Sequence, residues 1–254
     1  MVLSGSAMDA PKGLGHHARG LLWGGVKLWE GARFILADLP IDRKAAGEIL
    51  PFGLWPTDPA KMTLFVANYP KTSFTIPYQE AAILIHCRSL LGRAVHCPWM
   101  VVNDDTALIY GRELLGYPKK WAEIKFEESG RHISASVTRR GVEVINIEAE
   151  KGKPEAKPEP VFHRKTINAG GLGQFLLFQL MWLIKPIEVI YESDQAEVQL
   201  EIRESAFDPL ASLKPGPPQN GRFAVTDILG SKILLPVGIV GPAWLKRTFT
   251  WRME

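Results

Sequence analysis

Two adjacent lysines, Lys119 and Lys120, sit among apolar and aromatic residues in the run Gly111-Arg112-Glu113-Leu114-Leu115-Gly116-Tyr117-Pro118-Lys119-Lys120-Trp121-Ala122. Lysine side chains are almost never fully buried unless paired, and a low-dielectric setting disfavours the protonated ammonium. A neutral lysine amine is a nucleophile. It can attack a ketone carbonyl and form a Schiff base, whose iminium is an electron sink for breaking a bond beside the former carbonyl. The same dipeptide after a proline also suits a solvated turn in which both lysines stay charged and inert.

The ordered run Gly-Arg-Glu-Leu-x-Gly-Tyr-Pro-Lys-Lys resembles the signature of the acetoacetate decarboxylase family. The resemblance implies that Lys119 is a Schiff-base nucleophile and Lys120 its activating neighbour; acetoacetate decarboxylase is a known instance of a lysine activated beside another cation. If the segment is extended, successive side chains point to opposite faces. Lys120 then need not touch Lys119, and burial by Leu115, Tyr117 and Trp121 is the other route to activation. Tyr78-Gln79-Glu80 resembles the family's Tyr-x-Glu, whose glutamate faces the lysine pocket. This implies Glu80 as a proton shuttle or water-positioning group and Tyr78 as a group that binds a substrate carboxylate or hydroxyl. Without the resemblance, Glu80 equally suits the solvent side of a half-buried strand.

Two other charged residues of the family do not recur. The position of its active-site arginine falls on Gly31, with Arg33 close by, and that of its second glutamate falls on Phe65; no carboxylate lies between Lys61 and Glu80. The depleted charged set implies that Schiff-base chemistry is kept while the substrate differs. The expected activity is a lyase acting on a small oxo acid, leaning to aldolase, dehydratase or hydratase chemistry on a 2-oxo acid. Decarboxylation of acetoacetate or a related β-keto acid is the alternative, and a non-catalytic small-molecule pocket is the third reading. None of these chemistries needs a cofactor.

The elements that must position these groups read mostly as strands. Val26–Leu39, Thr63–Asn68, Phe74–Cys87, Trp121–Phe126, His132–Thr138 and Glu143–Glu150 are expected strands, with Arg139-Arg140-Gly141 as a turn. A strand at Ala107–Tyr110 is expected to deliver the lysine motif. Asp42–Leu50 reads as a helix with Asp42 as its N-cap, and Phe175–Ile184, apolar all round, as a buried helix ended by Pro186. Glu188–Glu192 and Gln195–Ile202 follow as strands. The fold class is α+β, mainly antiparallel β, and the family implies a closed, cone-like arrangement of strands and a homo-oligomer. A single domain over 1–254 is expected, with 1–20 as a possible flexible arm.

The chain has 254 residues, 30 basic and 27 acidic, for a net charge of +3. This near balance leaves no electrostatic footprint for nucleic acid. The longest apolar run is broken by Gln179, short of a membrane span, and the first twelve residues lack a secretory pattern; the cytoplasm is the expected compartment. Two cysteines cannot build a disulfide scaffold. No metal is expected: His16-His17 lacks partners at ligand spacing, and His86-Cys87 and His96-Cys97, on consecutive strands, can offer at most one ligand each to a given face. Arg112 and Glu113 read as a structural ion pair. Gly170-Gly171-Leu172-Gly173 lacks the lysine of a phosphate-binding loop.

Overall fold

Long apolar runs with β-branched and aromatic residues make this chain mostly strand, and its computed structural model describes residues 26–163, 165–174 and 178–254. In order, the elements are β1 (Trp29–Pro40), α1 (Arg43–Ile49), β2 (Trp55–Pro56), β3 (Lys61–Tyr69), β4 (Lys71–Thr72), β5 (Tyr78–Ser89), β6 (Gly92–Val102), α2 (Asp105–Leu115), β7 (Lys119–Trp121), β8 (Glu123–Ser129), β9 (His132–Arg139), β10 (Val142–Pro154), β11 (Thr166–Gln174), β12 (Gln179–Ile202), β13 (Asn220–Val240), α3 (Pro242–Arg247) and α4 (Phe249–Arg252).

All thirteen strands belong to one sheet, ordered β11-β6-β5-β3-β1-β13-β12-β10-β9-β8 along its main path, and β11 also pairs with β12. Seven strands therefore close on themselves, from β11 through β6, β5, β3, β1 and β13 to β12. The length of β12 makes closure possible: residues 181–184 pair with β11, residues 194–202 pair with β10, and residues 179–196 pair with β13. Closure leaves few unpaired backbone groups at sheet edges. The result is the mainly antiparallel, cone-like α+β fold expected, with parallel pairings where β7 and β11 meet β6.

Strands β1, β3, β5 and β6 are apolar on both faces, so each builds two cores by strict alternation. Phe34, Leu36, Phe65, Ala67, Ala82, Met100 and Val102 point into one, while Ile35, Ala37, Leu64, Val66, Ala81, Trp99 and Val101 point into the other. The two-residue turn between β9 and β10 falls on Arg140 and Gly141, both at positive φ, as expected for a tight hairpin. Helix α1 has its Asp42 cap, whose carboxylate accepts from the Ala45 amide at 2.8 Å, a contact that contributes about 1 kcal/mol.

Two elements differ from the sequence reading. Ala107–Tyr110 is part of helix α2, not a strand. Asp104 caps it, accepting from the Ala107 amide at 2.7 Å and from Thr75 Oγ1 at 3.0 Å. Gly116 ends it at φ 67°, the left-handed cap that glycine adopts without strain. The buried residues Ala107 and Gly111 are four apart, so a helical face, not an alternating one, meets the sheet. Residues 175–177 of the expected helix at Phe175–Ile184 lie outside the described residues, and from Gln179 onward the chain is β12. Ladders to both β11 and β13 fix it there, overriding its local preference. Pro186 does not end the element; it sits at a register irregularity where its missing N–H is tolerated. The two strands expected at 188–192 and 195–202 are both part of β12. The N-terminal arm and His16-His17 also lie outside the described residues. Among the described residues no helix is long and apolar enough to cross a membrane.

His96 is buried and His86 partly buried in this sheet, and in both the neutral ring is favoured. Burial pushes His96 down to about 4 against the favourable carbonyl of Ile167, 2.8 Å from Nδ1. Burial and then the neighbouring His163, ring to ring at 4.5 Å, push His86 down to about 3. Both folded values lie below the ordinary 6.5, so the unfolded chain takes up these protons first. Their contribution to stability is complete above pH 6.5 and is lost as pH falls through 6.5 towards 4 and then 3. Urea denaturation between pH 7 and 4.5 is expected to show stability falling by on the order of 1 kcal/mol per pH unit for a histidine as buried as His96, with a shallower slope in His96→Gln.

Candidate active site

The short strand β7 decides where the two lysines go. It lies parallel to β6 with Lys119 beside Met100 and Lys120 beside Val101, so the lysines point into opposite cores. Lys119 Nζ donates to Glu80 Oε2 at 2.6 Å, with the lysine only 6% and the glutamate 2% exposed. Glu80 comes from β5, and the Tyr69 hydroxyl donates to its other oxygen at 3.2 Å. Burial, and then the charge of Glu80, push the Tyr69 and Tyr78 phenols well above their usual range, which keeps Tyr69 a donor. Lys119, Glu80 and Tyr69 stand on the wall of a cavity of about 70 Å³ whose other sides include Trp29, Phe74, Met100, Leu115, Tyr117 and Phe162.

Glycines in the motif make room for this arrangement. A Cβ on Gly111 would lie 2.4 Å from Lys119 Cε and 2.5 Å from Cδ, so the bare face of α2 is the bed on which the lysine side chain lies. Gly116 and Gly171 allow the end of α2 to touch β11 backbone to backbone: a Cβ on Gly116 would meet the Ala169 carbonyl oxygen at 2.9 Å, and one on Gly171 would meet the Gly116 nitrogen at 2.8 Å. The glycine run at 170–173 thus serves packing.

The structure brings Lys119, Glu80, Leu115 and Tyr117 to one cavity and leaves three other expected site residues off its wall. Tyr78 is buried behind it, with its ring centroid 5.8 Å from Lys119 Nζ, its hydroxyl accepting from Trp29 Nε1 at 2.8 Å, and its ring against that of Tyr69 at 4.7 Å. It orders the wall instead of reaching into the cavity. Trp121 is 54% exposed and does not shield the lysine. Lys120 turns away, its Nζ 2.7 Å from Asp208 Oδ1 and 3.3 Å from the Thr250 carbonyl. The cation expected beside Lys119 thus pairs elsewhere, while Lys119 Nζ itself contacts Glu80. Tyr69, Trp29 and Phe162 were missed by sequence reading. Tyr69 had a usable signal, since it continues the alternation of Phe65 and Ala67; Phe162 comes from a loop and had none.

Arg33 pairs with Glu128 at 2.6 Å on a partly exposed flank, and Phe65 packs its ring on Phe34 and Phe162 at 5.6 and 5.4 Å. Among the described residues, no arginine lines the Lys119 cavity. Arg112 takes a structural role through main-chain carbonyls, donating from Nη1 to Lys119 at 3.0 Å and to Arg252 at 3.1 Å. Among the described residues, no three His, Cys, Asp or Glu side chains gather as a metal site. His86 faces Thr63 and His163, His96 faces Ile167, and burial pushes the Cys87 thiol up to about 12.

On the opposite face, Asp208 is fully buried and accepts from Lys120 Nζ at 2.7 Å, Trp99 Nε1 at 2.7 Å and Arg139 Nε at 3.0 Å. Burial holds Lys120 down at about 8, because it shares its one carboxylate with Arg139. For Asp208 the three donors together outweigh burial and hold it below the usual carboxylate range. Arg139 also donates to the carbonyl of Trp121 at 2.6 Å and to the Glu254 main-chain oxygen. Both ends of β7 are therefore anchored from its far side.

The sequence profile described as acetoacetate decarboxylase (ADC) matches residues 22–234. This chain belongs to the acetoacetate decarboxylase family. No curated protein matches the sequence. Among solved structures, an acetoacetate decarboxylase from Legionella pneumophila is similar at 15% identity with a TM-score of 0.75, covering 91% of this chain and 93% of that one. An acetoacetate decarboxylase-like enzyme from Sphingomonas wittichii is similar at 17% identity and TM-score 0.70, covering 82% and 92%. The enduracididine biosynthesis enzyme MppR, complexed with the condensation product of pyruvate and imidazole 4-carboxaldehyde, is similar at 16% identity and TM-score 0.66, covering 82% and 89%. At these identities the likeness is one of fold, and it extends the acetoacetate decarboxylase architecture over most of the chain.

Two substitutions separate the two faces of β7. Gly111→Ala forces the Lys119 side chain aside; turnover is expected to fall about 100-fold or more for a displacement near 1 Å, while the thermal midpoint stays close to that of the parent. Asp208→Ala strands Lys120 and Arg139 without their carboxylate and is expected to destabilise by roughly 3–5 kcal/mol, read by chemical denaturation.

Proposed function

We propose that this chain is a lysine Schiff-base lyase acting on a small oxo acid. The observation that carries the reading is the buried contact of Lys119 Nζ with Glu80 Oε2 at 2.6 Å on the wall of a mostly apolar cavity. At about 70 Å³, that cavity has room for roughly five water molecules by the one-probe measure, which suits a substrate of a few non-hydrogen atoms.

Transfer of a proton from Lys119 Nζ to Glu80 leaves a neutral amine and a carboxylic acid. The amine attacks the substrate carbonyl carbon. Glu80 returns its proton to the carbinolamine oxygen, and water leaves to give the iminium. In the first branch, a 2-oxo acid bound this way loses a proton from the carbon next to the iminium to Glu80. The resulting enamine adds to an aldehyde, whose oxygen takes the proton from Glu80, or it expels a hydroxyl one carbon further along, which takes that proton and leaves as water; hydration runs the elimination backwards. This branch is supported by the departure of the wall from the family's charged set, with Glu80 its one carboxylate among the described residues, and by the condensation product in the structurally similar MppR. In the second branch, the carbon–carbon bond of a β-keto acid breaks, carbon dioxide departs and its electron pair enters the iminium. The apolar wall favours this branch, because it strips water from the departing carboxylate. In the second branch a proton from water first adds to the enamine carbon to give the imine; water then hydrolyses the imine in either case and restores Lys119.

Sodium borohydride trapping with pyruvate and, separately, acetoacetate tests the reading. Mass spectrometry is expected to place a reduced adduct on Lys119, absent in Lys119→Met, and Glu80→Gln is expected to slow adduct formation by about 100-fold or more. Carbon dioxide release from acetoacetate selects the second branch; a pyruvate adduct without release selects the first. Failure to trap any oxo acid on Lys119 while the protein remains folded would overturn the Schiff-base reading.

A further inference from the structure

Between the end of α2, the start of β12 and the C-terminal helices lies a second cavity, of about 230 Å³, separate from the one that Lys119 enters but sharing Tyr117 with it. Its wall carries three cations, Arg112, Lys246 and Arg252, and no carboxylate among the described residues. Arg252 is the most confined of the three at 8% exposed. Its Nη2 donates to the Ala169 carbonyl at 2.8 Å, whereas its Nη1 is buried and has no hydrogen-bond partner. A buried guanidinium N–H without an acceptor is rare in folded proteins and marks a missing partner. Burial, and then the charge of Arg112, push Arg252 down to about 10. Gln179, on the same wall, has an Oε1 that is likewise buried without a partner. Its carboxamide can turn over to present the NH₂ group instead. The remaining walls include Leu245 and Phe249. One unpaired buried guanidinium nitrogen, one carboxamide and apolar walls match a singly charged oxyanion with a short apolar body.

We propose that this cavity binds a small monocarboxylate, held by the guanidinium of Arg252 with the Gln179 carboxamide beside it and its apolar end towards Leu245 and Phe249. The ligand needs no ketone, so the site stands independently of Schiff-base formation. Arg112 links it to the lysine strand, since the same Nη1 donates to the carbonyls of Lys119 and Arg252.

Isothermal titration with isobutyrate, which has a carboxylate and no ketone, against its neutral isostere isobutyramide tests the proposal. Isobutyrate is expected to bind saturably and at least ten-fold more tightly than isobutyramide, and Lys119→Met is expected to bind it as the parent does. Arg252→Met is expected to weaken isobutyrate at least ten-fold and Gln179→Leu several-fold, with circular dichroism unchanged. Should Arg252→Met fail to fold, Gln179→Leu and the comparison of acid with amide carry the test. Equal binding of acid and amide, no saturable binding of isobutyrate, or binding lost in Lys119→Met but kept in Gln179→Leu would each overturn it. A failed borohydride trap with a successful isobutyrate titration would sink the enzymatic reading alone.

Discussion

The rest of the structure depends on the alternation of β7, which sends two consecutive lysines into two different cores. Each ammonium must meet a carboxylate there, because an unpaired buried charge costs several kcal/mol. Lys119 meets Glu80 from β5, and Lys120 meets Asp208 from the segment just before the 3₁₀ turn at 210–213. The first pair borders open space; the second is packed among Trp99 and Arg139. Identical residue types one position apart thus have different surroundings. The inert pair keeps β7 from shifting, and a strand three residues long has little else with which to hold its register.

The family motif was legible in the sequence because nine specified residues in ten positions are specific, and several of them have a physical use in the structure. Gly111 is the bed for Lys119, Gly116 the left-handed end of α2, and Arg112 the brace on the lysine carbonyl. The alternating strands, the Asp42 cap and the Arg140-Gly141 turn were legible for the same reason, since each is a local rule. What local rules could not show is who faces whom. Ala107–Tyr110 is apolar enough for a strand, and only the Asp104 cap and the Gly116 end mark it as helical. Gln179–Ile184 reads as a helix until β11 and β13 lie on either side of it. The partner of Lys120 is Asp208, far along the chain, and Trp121 lies largely exposed at the end of β7.

The two cavities share one aromatic ring, Tyr117. That ring is buried, and burial pushes its phenol above the usual range, so it stays neutral as a partition between an apolar chamber holding a lysine–glutamate pair and a chamber lined by cations. A closed pocket discriminates a methylene by a modest factor, whereas an unmet polar group discriminates strongly.

Closure of the sheet also has a consequence for biosynthesis. β1 is sandwiched between β3 and β13, and from Pro40 to Asn220 the chain runs 180 residues before that second neighbour begins. At roughly 5–20 residues per second of translation, one side of β1 waits on the order of 10–40 seconds on the ribosome with its amides and carbonyls unpaired. Its inner residues, Phe34 to Ala37, are fully apolar. The same topology that seals the lysine from solvent in the finished protein therefore leaves the nascent chain with an unpaired apolar edge until its last long strand is made.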